Sequence, residues 1–229
     1  MACSLSAPLL LAVDLTAKVA WENVSGSSET TRKNKDVVVW LTPSDPDSAP
    51  SRQLSPAPLT LIQRNKSFEP HVMVVPVGSV IQFPNRDPFF HNVFSLFEGK
   101  RFDLGLYEAG TSRNVHFDKP GVSYIFCNIH PEMSAVVIAL TTPFHAKSDS
   151  QGKIAIFDVP PGRYRLHLWY EAAMPEELDA MTREITVADD SSNLGVLSLK
   201  FSSLAKVHKN KYGQDYEPPN PGNPAYVRP

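Results

Sequence analysis

The chain of 229 residues has only two cysteines, Cys3 and Cys127. Two cysteines cannot build the disulfide framework of a small stapled domain. Nor is there a surplus of positive charge. Twenty-two Lys and Arg stand against 24 Asp and Glu, for a formal net charge of −2. With no basic excess to track a phosphate backbone, nucleic acid is not an expected partner. No apolar run reaches the roughly 18 residues of a spanning helix, so no transmembrane helix is expected in the mature chain. G-x-S-x-G, H-E-x-x-H, Walker and dinucleotide-binding motifs are all absent. Their absence removes the common routes to serine hydrolase, zincin and nucleotide chemistry, and the chain reads as a non-enzyme.

What is present is a globular composition: 42% hydrophobic, 20% charged, and 21 prolines against 11 glycines. Short apolar runs separated by turn residues predict strands. Leu15–Trp21 alternates, and Asp36–Leu41 is β-branched. Prolines 43, 46, 50, 56 and 58 mark a loop over residues 42–58. Leu59–Gln63, His71–Val77, Val80–Phe83, Val115–Phe117, Ser123–Cys127 and Ser134–Thr141 follow. After a break near Thr142-Pro143 come Lys153–Phe157, Arg163–Tyr170, Glu184–Val187 and Val196–Phe201. In Arg163–Tyr170 the residues Tyr164, Leu166, Leu168 and Tyr170 share one face, with His167 on the other, which reads as solvated. Only Pro175–Met181 reads as a short helix. Strands at this spacing predict an all-β sandwich architecture.

The ends differ in character. Leu9–Val13 resembles the apolar middle of a secretory signal, without a positive n-region or a small-x-small cleavage site. It fits a signal remnant over residues 1–13, the preferred reading, or a first strand. The basic stretch Lys206–Lys211 reads as a solvated segment, and the Pro-rich residues 206–229 as an extended tail.

The segment Tyr124–Met133, YIFCNIHPEM, carries the chemistry. A strand delivers Cys127 to its end, His130 follows three residues on, and Met133 three further. Thiolate, imidazole and thioether together form a soft donor set suited to copper. A fourth donor must come from elsewhere, and His91, at the exit of the turn Asn85–Pro88, is the best placed. His91, Cys127 and His130 in a plane with Met133 as weak axial ligand describe a blue-copper site. The plain alternatives are a buried apolar cysteine, a loop His-Pro and a packing methionine. A catalytic thiol lacks a cleft here, and thioether is a poor zinc ligand. His71, His116, His145 and His208 are not expected to be ligands, and Asp87, Glu98, Asp103 and Glu108 form no recognisable carboxylate pair.

Pro70–Ser95 together with Tyr124–Val137 resembles a plastocyanin-like cupredoxin, over roughly residues 59–141. The resemblance rests on the V-x-x-G-x-x-I-x-F-x-N-x-D-x-x-x-H-N-V run and the C-x-x-H-P-x-M loop, in that order. It implies a Greek-key β-sandwich with one copper ion on His91, Cys127, His130 and Met133, and Asn92 tying the two ligand loops together. The His130–Met133 spacing is tighter than plastocyanins use. Residues 143–205, with SDSQGKIAIFDVPPGRYRLHLWYE, resemble a carboxypeptidase regulatory-like (transthyretin-like) sandwich.

The expectation is thus a Greek-key cupredoxin β-sandwich over residues 14–142, then a second small β-sandwich over 143–205. The N-terminal strands fit either one. The function would be one-electron transfer through mononuclear type 1 copper. His130 would lie toward the surface as the electron exit, within an apolar patch of Phe89, Phe90, Ile129 and Pro131. A redox protein, such as a c-type cytochrome by family analogy, would be the partner, and the location periplasmic or secreted. A copper carrier with the same ligands and a structural protein with a vestigial site are the alternatives.

Overall fold

A computed structural model of the chain describes residues 12–22, 34–45, 59–96, 98–188, 192–200 and 208–216. Most of residues 1–13, the centres of the two polar N-terminal loops and residues 217–229 therefore lie outside the described residues. In chain order the strands begin with β1 (Val13–Trp21), β2 (Val38–Pro43), β3 (Leu59–Thr60), β4 (Ile62–Arg64), β5 (Ser67–Glu69) and β6 (Val72–Pro76). They continue with β7 (Ser79–Pro84), β8 (His91–Ser95), β9 (Phe102–Tyr107), β10 (Ser112–Phe117), β11 (Gly121–Cys127) and β12 (Ser134–Leu140). The last are β13 (His145–Lys147), β14 (Lys153–Val159), β15 (Gly162–Trp169), β16 (Arg183–Val187) and β17 (Asn193–Leu199), with one helix, α1 (Pro175–Met181), before β16. The fold is all-β, as the alternating runs predict.

The chain divides into two compact units. One comprises residues up to 52 together with 142–205. Its sheets run β14-β1-β17 and β13-β2-β15-β16. Leu15, Ala17 and Val19 of β1 face Val39 and Leu41 of β2 and Tyr164, Leu166 and Leu168 of β15 across one apolar core. The period-2 alternation of β1 and β15 sends these side chains inward, because successive Cβ atoms point to opposite sides of a strand. The two N-terminal strands thus pair with strands of residues 142–205, and the two units part between residues 52 and 53, within the proline-rich stretch. β1 pairs antiparallel with β14 and parallel with β17. The segment just after the break at Thr142-Pro143 holds β13, which pairs with β2. In the Asp149–Gly152 turn, Asp149 Oδ1 accepts the N–H groups of Gln151 (2.8 Å) and Lys153 (2.9 Å). Gly152 takes φ +77°, where an added Cβ would lie 3.1 Å from Val19 O, so the turn needs glycine. His167 shares its face with the exposed Arg163 and Arg165 but is itself half-buried: its ring stacks on Trp40 at 5.1 Å, and burial, together with Arg165, lowers its pKa.

The other unit comprises residues 53–141 and 206–229. Its larger sheet runs β6-β12-β11-β8-β9, its smaller β10-β7-β3, with the hairpin β4–β5 beside them. Ile81, Phe83, Val115 and Phe117 from the small sheet meet Val93, Tyr107, Ile125, Cys127 and Val137 from the large one. Burying such side chains contributes roughly 1.5–3 kcal/mol each. Cys127 faces this core while its neighbour Phe126 faces away, against Phe94 at 5.9 Å. No helix among the described residues is long and apolar enough to cross a membrane.

Candidate metal centre

β8 and β11 are antiparallel neighbours with Cys127 opposite Val93. That register brings the start of β8, His91, beside the end of β11. The apolar run Ile125-Phe126-Cys127 keeps β11 regular up to the thiol, and Pro131, with no N–H to give a ladder, ends the strand pattern beyond it. The loop closes on itself: Cys127 N–H donates to Met133 O (3.2 Å) and Met133 N–H to His130 O (3.1 Å).

Three donor atoms converge there. His91 Nδ1 and His130 Nδ1 are 3.1 Å apart, and Cys127 Sγ is 3.6 Å from each. All three residues are buried, and their ligand atoms form a group able to hold a metal ion. The point equidistant from the three lies about 2 Å from each, close to metal–imidazole and metal–thiolate bond lengths of about 2.0–2.3 Å. The residues present therefore fit a soft ion held trigonally by two imidazole nitrogens and one thiolate sulfur. Met133 is fully buried in the same core as Cys127.

Electrostatics prepare the donors. Burial pushes the Cys127 thiol up, while the N–H groups of Ile129, Asn92 and His130 directed at it pull the other way. Burial also lowers His91, against the opposing pull of the Asp87 carboxylate, which favours the neutral imidazole that ligates metals. His91 Nε2 lies 2.9 Å from Asp87 Oδ2, leaving Nδ1 for the shared point. Asp87 is itself held: it accepts Asn65 N–H (2.5 Å) and Lys66 N–H (3.0 Å), and Asn85 Oδ1 accepts Asp87 N–H (3.0 Å).

Asn92 ties the ligand loops through its backbone. Its N–H points at the Cys127 sulfur and its C=O accepts Asn128 N–H at 2.9 Å. Its side chain turns elsewhere, donating to Asp103 Oδ1 (2.7 Å). His130 is not a surface residue: it is 1% exposed, with the Phe89 ring 5.4 Å from its own and 5.3 Å from that of His91. Of the apolar patch, Phe90 is exposed while Phe89 is drawn over the two imidazoles. His71 binds Ser134 O (3.0 Å), and His116 is exposed. His145 is half-buried in β13 of the other unit.

Two residues at the centre escape a reading of the sequence. The pattern marks Asp87 only as part of a turn, though its place four residues before His91 is an available signal. His208 reads as solvated, yet its Nε2 meets Pro131 O at 2.6 Å and its ring stacks on Phe126 at 4.1 Å.

No protein-family model and no curated protein matches the chain. Among solved structures, a purple cupredoxin from Nitrosopumilus maritimus is similar at 23% identity and a TM-score of 0.33, over 36% of this chain and 99% of that one. A copper-containing nitrite reductase from Thermus scotoductus SA-01 is 21% identical, with a TM-score of 0.35 over 53% of this chain and 28% of that one. A mutant of amicyanin, in its reduced Cu(I) form, is 18% identical, with a TM-score of 0.35 over 38% of this chain and 87% of that one.

Proposed function

We propose that the chain holds one copper ion on His91, Cys127 and His130, with Met133 as a weak fourth ligand, and passes single electrons. The observation that carries this reading is the convergence of His91 Nδ1, His130 Nδ1 and Cys127 Sγ in a buried pocket. A thiolate with two imidazoles and a thioether accommodates both copper oxidation states. When bound, copper supplies the one-electron couple. The rest is done by the chain. Asp87 orients His91, the loop N–H groups orient the thiolate, and the apolar core keeps water from the donors. Rigid donors on a strand start and a closed loop limit reorganisation between the two states.

Residues 59–141 are on this reading a plastocyanin-like cupredoxin domain, and the protein transfers electrons without catalysing a reaction on a substrate. Its partner is a redox protein, a c-type cytochrome being the suggestion by analogy, and its compartment periplasmic or secreted. Residues 143–205 are read as a carboxypeptidase regulatory-like module, supported by the Asp149–Gly152 turn and by β14 and β15 lying in two different sheets around one apolar core.

The test is a visible and EPR titration of purified protein with Cu(II), with Cys127→Ser as control. An intense thiolate-to-copper band saturating at one equivalent, bleached reversibly by a reductant and absent from the variant, is expected. A chain that takes up no stoichiometric copper overturns the reading. Tight Cu(I) binding without reversible cycling replaces it with a carrier.

A further inference from the structure

The basic stretch and the start of the Pro-rich tail have no part in the function above, yet residues 208–216 lie against the donor loop. His208 Nε2 donates to Pro131 O at 2.6 Å, next to His130. Lys211 N–H donates to Asn128 Oδ1 at 2.9 Å, next to Cys127. Tyr216 Oη donates to the carbonyl of Cys127 itself at 2.8 Å. Lys211 Nζ meets Asp103 Oδ2 at 2.8 Å, and Asp103 Oδ1 accepts the side chain of Asn92, next to His91. One short segment thus engages Cys127 and, directly or through Asp103, the immediate neighbour of each of the three donors.

The contacts are mutually supporting. Phe126 points away from the core, and the His208 ring stacks on it at 4.1 Å, nearly parallel. Tyr216 stands edge-on to that ring at 5.3 Å, with its hydroxyl 3.2 Å from His208 Nδ1. The segment keeps its own shape: Asn210 Oδ1 accepts Tyr212 N–H (2.9 Å) and Gln214 N–H (3.0 Å). A merely adhering tail would bury apolar side chains. This one aims its polar groups at backbone carbonyls and an amide of the donor loop.

We propose that residues 208–216 form a latch on the donor loop, in which Tyr216 and His208 are positioning residues that hold the Cys127–His130 backbone and tune the copper couple. This rests on the copper reading only for its redox part. The sign follows from charge. With copper bound, the oxidised site carries one more positive charge than the reduced one. A hydroxyl dipole with its positive end on the Cys127 carbonyl therefore favours the reduced site and raises its potential. Removing it lowers the potential. In the metal-free chain the same contacts restrain the loop opening that would expose the buried thiol.

The experiment uses the full chain carrying Cys3→Ser, so that Cys127 is the remaining thiol, and compares Tyr216→Phe, His208→Ala and Phe157→Tyr. Phe157 is 61% exposed on β14 of the other unit and serves as control. In metal-free protein, Cys127 alkylation by iodoacetamide is expected to be about tenfold faster in Tyr216→Phe and His208→Ala, the effect of losing roughly one hydrogen bond on opening, and unchanged in Phe157→Tyr. In copper-loaded protein, the potential of Tyr216→Phe is expected below that of the parent. Alkylation rates equal to the parent in both latch variants overturn the proposal, and so does a potential unmoved in Tyr216→Phe. A parent that binds no copper overturns the copper reading and leaves the alkylation comparison to decide the latch.

Discussion

Asp87 Oδ2 stands 2.9 Å from His91 Nε2, so the carboxylate holds the imidazole with its other nitrogen facing Cys127 and His130. Both partners are buried. A carboxylate on the far nitrogen fixes the ring and strengthens it as a donor, and losing such a group costs roughly 10- to 100-fold in metal affinity. Asp87→Ala is therefore expected to weaken Cu(I) binding by about that factor. Asp87→Asn, which keeps an acceptor oxygen, should lose less. Competition with a chromophoric Cu(I) chelator measures both, and equal affinity in Asp87→Ala and the parent would remove Asp87 from the site.

Tyr107 makes a separate, purely structural prediction. It is fully buried; its hydroxyl donates to Phe83 O at 3.0 Å and accepts from Gln63 Nε2. The contact ties β9 to β7 and β4 beneath the centre. Tyr107→Phe removes two buried hydrogen bonds, leaving Gln63 Nε2 and Phe83 O only their longer contact with each other (3.3 Å), and is expected to destabilise the metal-free protein by about 1–3 kcal/mol. Urea unfolding with Tyr212→Phe as control reads it, and coincident midpoints would contradict it.

The strands that come through clearly in the sequence are those with a strict period or a continuous apolar run. β1, β11, β12 and β15 are of this kind, and α1 coincides with Pro175–Met181, where proline opens the helix and Glu177 accepts Met174 N–H at 2.9 Å. β9 escapes because Asp103 and Gly105 interrupt its pattern, and β8 alone pairs with it. The pairing of β1 with β17, far along the chain, leaves no local trace, so its sandwich is not decided by the sequence pattern. The donors are legible because the loop places Cys127, His130 and Met133 within seven residues. The burial of His130 is not, since it depends on Phe89 folding over two rings. His208 and Tyr216 are invisible because their targets are backbone carbonyls, which every residue has.

The Asp103–Lys211 pair gives the latch a pH dependence. Burial would raise Asp103, but Lys211, Gly105 N–H and Asn92 outweigh it and hold the carboxyl below its ordinary value of about 3.9. The same contact raises Lys211. A depressed acid contributes above its ordinary pKa, and that contribution is lost as pH falls through the depressed value. A raised base contributes below its ordinary pKa, about 10.4, and loses the contribution as pH rises through the raised value. Docking is thus favoured between these limits. Hydrogen exchange of the 208–216 segment, corrected for intrinsic rates, should lose protection as pH falls from about 4 through the depressed value of Asp103, and lose less in Asp103→Asn. Equal loss in the variant would assign the acid sensitivity to another group.

Met133 has two roles to separate, because it is fully buried whether or not it ligates. Met133→Ala would confound them: truncating a buried methionine costs about 2–5 kcal/mol through the cavity alone. Met133→Leu conserves volume and should cost under about 1.5 kcal/mol in the metal-free protein. Leucine has no donor atom, so any change beyond that belongs to the thioether. A thioether in the axial position donates weakly and tunes the potential. Removing it withdraws electron density from the more positive oxidised site, so the potential of copper-loaded Met133→Leu should rise while metal-free stability barely moves. An unchanged potential and spectrum would return Met133 to the core as packing and leave His91, Cys127 and His130 to hold the ion alone.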